Sequence, residues 1–160
     1  MVQKGFIVVT DRGGHLHNAK MLLEQMEVTP EAYVMTSGPE VSPLREKSKV
    51  FVIPYLFTWF GKKRVFNPFK TLWHACVALF YALRLKPQVV ISTGATQVVF
   101  FCYWAKLLGA RVIHVECMNQ VWTPSLTGRL LYPISQDFYV QWESLLPAYG
   151  NKAKYAGWVL

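Results

Sequence analysis

The sequence predicts a single α/β domain with a mainly parallel sheet. Three observations carry this. Short continuous runs of apolar and β-branched residues recur along the chain, amphipathic helical stretches separate them, and two of the runs leave into glycine-containing loops. Strands alternating with helices are the pattern of βαβ units, whose crossover helices cover the faces of a parallel sheet. The 160 residues make one ordinary domain, spanning 1–160, and 52% hydrophobic against 16% charged residues excludes a disordered chain.

Residues 6–10 (Phe6 to Thr10) are continuously apolar and β-branched, as in a strand buried on both faces. They leave through Asp11-Arg12-Gly13-Gly14-His15. Leu16, Ala19, Leu22, Leu23 and Met26 then recur at helical spacing. A second strand is predicted over 32–37, closed by Gly38-Pro39, and a third over 49–54. Residues 55–69 are dense in aromatics and cations with no clean period. Asn67 as a cap and Pro68 at the first helical position predict a helix running to Leu85 and stopped by Pro87. A fourth strand, 88–92, exits through Thr93-Gly94-Ala95 into a helix over 96–108 that Gly109 ends. A fifth follows over 111–116. A short helix over 125–132 and short strands over 137–141 and 154–158, around a brief helix near Leu145, complete the chain.

The formal net charge is +8, and it is unevenly placed. Between Glu46 and Glu116 there is no acidic residue, while ten Lys and Arg fall there; the remainder of the chain is slightly acidic. Such a patch attracts phosphate-bearing partners: nucleic acid, anionic lipid or a phosphorylated substrate. Cys76, Cys102 and Cys117 are odd in number and lack C-x-x-C spacing, which suits reduced cytosolic thiols. With His15, His17, His74 and His114 they show no zinc-ligand spacing, so neither a metal site nor a cofactor is expected. The uncharged stretch 87–105 carries Ser92, Thr93, Gly94, Thr96 and Gln97 at its centre, which favours strand, turn and helix over a membrane span. Any membrane contact is then peripheral.

Ligands of parallel sheets sit beyond the carboxyl ends of the strands. Gly13-Gly14-His15 and Thr93-Gly94-Ala95 both lie at such exits, where glycine lets a ligand approach the backbone and a helix start offers N–H groups to an anion. The alternative at each is a plain strand-to-helix turn. Neither a dinucleotide fingerprint nor a phosphate loop is present. His15 is a candidate general base by its near-neutral pKa, or else a hydrogen-bonding residue. Glu116, an acid at the end of an apolar strand, is a candidate base for an acceptor hydroxyl, or else a paired structural carboxylate. Trp59, Phe60, Phe66 and Phe69 among Lys62, Lys63, Arg64 and Lys70 match an interfacial membrane contact. Inward packing of the aromatics is the alternative. Nucleic acid is disfavoured, because no RNP, KH or helix-turn-helix pattern accompanies them.

The motifs together resemble a known family. Strand-Gly-Gly-His-Leu, Pro87-Gln-Val-Val-Ile-Ser-Thr-Gly-Ala95, Val112-Ile-His-Val-Glu116, Ser125-Leu-Thr-Gly-Arg-Leu-Leu-Tyr-Pro133, Asp137-Phe-Tyr-Val-Gln-Trp142 and Tyr155-Ala-Gly-Trp158 occur in order. They look like the accessory subunits of split two-chain glycosyltransferases. That group includes the anchor subunit of the UDP-N-acetylglucosamine transferase of lipid-linked oligosaccharide assembly and PssD-like proteins of capsule and exopolysaccharide synthesis. The resemblance implies a Rossmann-like domain similar to the amino-terminal half of a GT-B, MurG-like glycosyltransferase. It implies a polyprenyl-diphosphate-linked acceptor on Gly13, Gly14, Thr93, Gly94 and Ala95. It further implies a UDP-sugar shared with a separate catalytic subunit, with Trp142 and Trp158 toward that partner, and a peripheral place on the cytoplasmic face of an anionic membrane. Asp11-Arg12 replace the small serines usual before Gly-Gly-His, and Gln120 stands near where an Arg is common. No anchoring helix opens the sequence, which points to a bacterial, peripheral form. A pure tethering scaffold without substrate contacts and an independent nucleotide-binding enzyme are the competing readings.

Overall fold

The structure, a computed structural model, describes residues 2–60 and 63–158, the side chains of 58–60 and 63–64 excepted. In chain order the elements are β1 (Val2–Val9), α1 (Gly14–Gln25), β2 (Thr29–Thr36), α2 (Val41–Arg45), β3 (Lys49–Ile53), β4 (Phe57–Phe60), β5 (Lys63–Phe66), α3 (Pro68–Leu85), β6 (Val89–Ser92), α4 (Val99–Leu107), β7 (Arg111–Val115), α5 (Leu126–Leu131), β8 (Asp137–Val140), α6 (Leu146–Tyr149) and β9 (Ala153–Tyr155). Single 3₁₀ turns at Thr96–Val98 and Glu143–Leu145 lead into α4 and α6.

Successive side chains of a strand face opposite sides, and the inner strands here are apolar on both. Ile7, Val9, Val34, Val90 and Val112 pack with Ala78, Ala82, Phe101, Cys102 and Ala105 of α3 and α4. Phe6, Val8, Tyr33, Met35 and Ile91 pack on the other side with Leu16, Ala19 and Leu23 of α1 and with Val41 and Leu44 of α2. The result is three layers, helix on sheet on helix. A smaller cluster of Phe138, Val140 and Leu145 sits under Tyr132 and Tyr149.

The large sheet runs β3-β2-β1-β6-β7-β8-β9, with every pairing parallel. From β1 the chain moves outward through β2 and β3, then crosses back to β6 and moves outward on the other side. The strand order therefore reverses between β1 and β6, and a crevice opens beyond their carboxyl ends. Both Gly loops leave from that point.

Helix α3 begins and ends as its sequence predicts. The Asn67 side chain accepts the Lys70 N–H at 3.1 Å, Pro68 fills the first helical position, and Lys86 turns left-handed ahead of Pro87. Two elements were not legible: α2, only five residues long with a proline inside, and the antiparallel hairpin β4–β5, whose backbone pairs Phe57 with Phe66. The hairpin lies within the aperiodic stretch 55–69, whose mix of aromatics and cations lacks the period-2 alternation that marks a half-buried strand. Among the described residues no helix is long and apolar enough to cross a membrane, and no cluster of His, Cys, Asp or Glu is placed to hold a metal ion.

Candidate functional site

A cleft of about 460 Å³ opens over the carboxyl ends of β1, β6 and β7. One wall is Asp11, Arg12 and His15; the next is Gly94 through Gln97; the far side is Cys117, Asn119 and Gln120 with Ser125, Leu126 and Thr127 at the start of α5. Tyr55 and Phe57 close it from the hairpin side.

The two Gly loops are tied together. The Thr10 and Thr93 hydroxyls lie 2.8 Å apart, and Thr93 Oγ1 donates to the His15 carbonyl at 3.0 Å. In return His15 Nδ1–H donates to the Thr93 carbonyl at 2.9 Å. A carbonyl only accepts, so the proton of a neutral ring is on Nδ1 and Nε2 is left toward the cleft. Gly94 makes this possible: its φ is +106°, and a Cβ there would lie 2.9 Å from His15 Nδ1. Ala95 follows at φ +67°, a left-handed strain for a residue with a side chain, at the lip of the cleft.

Thr93 itself is buried beneath this contact. Gly13 and Gly14 are exposed at the start of α1, with open space where side chains would stand. Neither is among the cleft's lining residues; the Gly13 N–H donates to Glu40 Oε1 at 3.3 Å, and the N–H groups that follow it in α1 have no side-chain cap. Asp11 turns back, its Oδ1 accepting the Arg12 N–H at 2.9 Å and the Thr36 hydroxyl. Arg12 fills the space beside Gly38 and lies over the Tyr55 ring at 5.1 Å. The Asp11-Arg12 pair that stands before Gly-Gly-His thus clamps the loop to β2 and the Tyr55 segment.

Glu116 does not line the cleft. It is 1% exposed beneath the floor, with Oε2 accepting from His114 Nε2 at 3.0 Å and Oε1 from the Ser125 N–H at 3.0 Å. His114 Nδ1 in turn faces Ser92 Oγ at 3.2 Å. A buried polar chain therefore runs from β6 through β7 to the start of α5. Burial pushes the Glu116 carboxyl up, but the hydrogen bonds and charge it meets from His114 and the Ser125 N–H outweigh this and hold it below its ordinary value. Gly128 has no side chain because Glu116 and Tyr149 occupy that space. The base role suggested for Glu116 needs an oxygen in the cleft, and both oxygens point away from it into these bonds.

The residues that reasoning from sequence missed are Cys117, Asn119, Ser125 and Thr127. Their loops were legible as strand exits, and Pro124-Ser125 reads as a helix start; Ser125 Oγ accepts the Gly128 N–H at 2.8 Å. Cys117 is half-buried and lines the cleft, as His15 does.

Trp142 and Trp158 meet edge to face, ring centroids 4.3 Å apart, and Trp142 Nε1 donates to the Met118 carbonyl at 2.7 Å. They lie away from the cleft. Trp158, 47% exposed, borders a groove of about 350 Å³ with Met26, Ile113 and Tyr139 on the α1 side of the sheet. Of the residues assigned to a membrane contact, Phe66, Phe69 and Lys70 are exposed. Lys62 and the side chains of Trp59, Phe60, Lys63 and Arg64 lie outside the described residues. Beyond that set, Leu72, Trp73, Phe80 and Leu83 extend an exposed apolar stripe along α3.

Residues 58–159 match the family described as "Oligosaccharide biosynthesis protein Alg14 like". A relative from Schizosaccharomyces pombe, UDP-N-acetylglucosamine transferase subunit alg14, is 28% identical over 176 aligned positions, covering 97% of this chain and 83% of that protein. The mouse UDP-N-acetylglucosamine transferase subunit ALG14 is 34% identical over 99 positions, covering 58% of this chain and 44% of its own. Among solved structures, MurG of Acinetobacter baumannii superposes with a TM-score of 0.72 at 20% identity, over 97% of this chain and 45% of that one. A UDP-N-acetylglucosamine 2-epimerase from Rickettsia bellii gives 0.68 at 12% identity over 99% and 46%. The chain thus spans under half the length of these structures, and its fold resembles the amino-terminal half of a GT-B glycosyltransferase such as MurG. With a match over most of its length, the chain belongs to the Alg14-like family of oligosaccharide biosynthesis proteins.

Proposed function

We propose that this chain is the non-autonomous subunit of a two-chain, UDP-sugar-dependent glycosyltransferase of polysaccharide or oligosaccharide synthesis, as in the PssD-like branch. It receives a polyprenyl-diphosphate-linked glycan acceptor and brings a separate catalytic chain to the cytoplasmic face of the membrane. The single observation that supports this best is the cleft at the β1/β6 reversal. Beside it, between the lining residues Arg12 and His15, the start of α1 has no side-chain cap beyond the Gly13 N–H that Glu40 holds, and open space at Gly14 lets a diphosphate approach the first helical N–H groups. A site for an anion on a family member that spans less than half of a GT-B enzyme is what an acceptor half requires.

The parts divide the work. Gly13 and Gly14 meet the diphosphate, while Thr93, Gly94 and Ala95 shape the opposite lip. His15 is the imidazole among the cleft's lining residues, its Nε2 suited to take a proton from an attacking hydroxyl. Glu116 acts as a positioning residue, holding the start of α5 and thus Ser125 to Thr127. The exposed stripe Phe69, Leu72, Trp73, Phe80 and Leu83, flanked by Lys70, Arg84 and Lys86, lies on the membrane, its aromatics at headgroup depth and its cations on anionic lipid. Trp142 and Trp158 mark the side toward the catalytic chain, which holds most of the UDP-sugar.

Reconstitution tests this. Membranes carrying both this chain and the small transferase chain that accompanies it are expected to transfer sugar from the UDP-sugar to lipid-linked acceptor, and neither chain alone is. Full-rate transfer by the partner alone contradicts the acceptor role. A partner that stays soluble without this chain, yet is fully active on a water-soluble acceptor, supports the tethering scaffold instead.

A further inference from the structure

A second cavity adjoins the cleft. It is a groove of about 560 Å³ between the hairpin, the start of α3, α4 and α5. Leu56 and Val99, both buried, are at its base, and Phe66, Leu107 and Leu130 stand exposed along its edge. Among the described residues no charged side chain lines it. Its polar atoms are already engaged with the backbone. The Tyr103 hydroxyl donates to the Leu130 carbonyl at 2.9 Å, Trp104 Nε1–H to the Ala75 carbonyl at 3.0 Å, and the Thr71 hydroxyl to the Asn67 carbonyl at 3.0 Å. Thr96, the remaining polar residue, stands where the groove meets the cleft. A groove of this size and lining takes hydrocarbon and offers a sugar or a phosphate little to bond to.

The groove is continuous with the cleft. Phe57 and Thr96 line both cavities. On α5, Leu126 lines the cleft and Leu130, one turn further along the same face, lines the groove. The Leu56 N–H donates to Gln97 Oε1 at 2.8 Å, which ties a residue of the groove to one of the cleft and fixes the wall they share. The chemistry changes across that wall, from Asp11, Arg12 and His15 on the cleft side to aliphatic and aromatic carbon on the other.

We propose that the groove holds the first units of the acceptor's prenyl chain, so that one molecule spans both cavities with its diphosphate in the cleft and its tail along α4. The inference rests on the acceptor reading of the cleft and adds to it a place for the tail. A prenyl diphosphate joins its anion directly to hydrocarbon, and a polar chamber opening straight into an apolar one matches that order. A bilayer phospholipid sets a glycerol and ester groups between phosphate and chain, and these need bonding partners that the groove lacks. The far end suits the rest of the tail. Phe66 lines the groove, and Phe69, three residues on, begins the exposed apolar stripe of α3, the face assigned to the membrane.

Calorimetric titration of the whole chain in detergent-free buffer tests this. The probes are dimethylallyl, geranyl and farnesyl diphosphate, with inorganic pyrophosphate as the headgroup alone. Each methylene removed from water is worth about fourfold in affinity, so even partial burial of a prenyl unit should give about tenfold or more at each step of the series. The heat-capacity change of binding should be negative and grow with the tail. Leu130→Gln, at an exposed position, should keep the wild-type urea midpoint, weaken farnesyl diphosphate about tenfold and leave pyrophosphate unchanged.

Affinity that does not rise along the series overturns the groove, and leaves the diphosphate reading intact where pyrophosphate binds. Farnesol that binds in a Leu130-dependent way, with pyrophosphate showing no binding, upholds the groove and counts against the diphosphate reading, so the two claims fail separately. A short-chain lysophosphatidylglycerol that binds as tightly as farnesyl diphosphate assigns the groove to bilayer lipid. A Leu130→Gln chain that loses the catalytic chain but keeps farnesyl diphosphate assigns it to a protein contact. Either result overturns the proposal.

Discussion

In and under the cleft, His15, Thr93 and Glu116 each have polar atoms engaged at 2.9 to 3.0 Å. On the outer face of α3, Phe69, Leu72, Trp73 and Phe80 are each more than half exposed. The first region is held by directional bonds across three strands, so one altered side chain unseats several others. The second takes no part in such bonds; α3 is held from its opposite face, where His74, Ala75, Ala78 and Ala82 are buried, Val77, Tyr81 and Leu85 pack on the core, and His74 meets the Pro54 and Gln97 carbonyls. Its outward residues contribute nothing to the fold that water does not oppose. On the proposed function, the first region is the rigid recognition site and the second is the surface free to meet a membrane.

The sharpest way to break this comparison is Glu116→Ala, which strands buried His114 and the Ser125 N–H. Removing one member of such a buried pair costs about 3 kcal/mol or more, read as a lower urea midpoint. In the wild type the Glu116 carboxyl titrates below its unfolded value of 4.5, so its contribution is complete above that pH and is lost as pH falls through the folded value. Stability against pH should therefore drop as the solution is acidified below about 4.5. Glu116→Gln should flatten that part of the curve.

Gly94→Ala comes next. It forces a side chain onto φ +106° and against the His15 ring, a cost of about 1–3 kcal/mol by thermal or urea unfolding. On the other face the sign of the contrast reverses. Trp73→Ser is expected to leave stability within about 0.5 kcal/mol, as exposed positions do. Its membrane affinity should fall by about 2 kcal/mol, roughly thirtyfold in liposome flotation. Neutralising Lys70, Arg84 or Lys86 should weaken binding to anionic vesicles by about 1 kcal/mol each at low salt, and by less as salt rises. Unchanged flotation in Trp73→Ser, or a marked loss of stability, dissolves the distinction between the two regions.

What could be read from the sequence follows the same division. The run from Phe6 to Thr10, the cap at Asn67-Pro68 and the stop at Pro87 depend on neighbours in the chain, and all were legible. The convergence of Gly13-Gly14-His15 with Thr93-Gly94-Ala95 was legible as two strand exits, because a parallel sheet sends both to one edge. Glu116 and Cys117 were not separable in the same way. Adjacent residues at a strand end point to opposite sides. That puts Glu116 under the floor with His114, two residues earlier on the same face, and Cys117 among the cleft's lining residues. Only the register of β6 with β7, which sets Ser92 beside His114, decides which one faces the cleft. The apolar stripe of α3 was hidden for a different reason: the helix is apolar around much of its circumference, so its pattern does not tell the buried side from the exposed one.

The central claim, that the start of α1 receives the acceptor's diphosphate, is tested most directly by acceptor kinetics of Gly14→Leu in the reconstituted pair. Gly14 is exposed with nothing near its missing Cβ, so the substitution should leave unfolding and partner binding unchanged. A rise of about tenfold or more in KM for lipid-linked acceptor, with KM for the UDP-sugar unmoved, is the predicted result, matching the loss of charge-assisted contacts worth about 1.5–3 kcal/mol. Unaltered acceptor kinetics in a folded, partner-bound Gly14→Leu chain would contradict it.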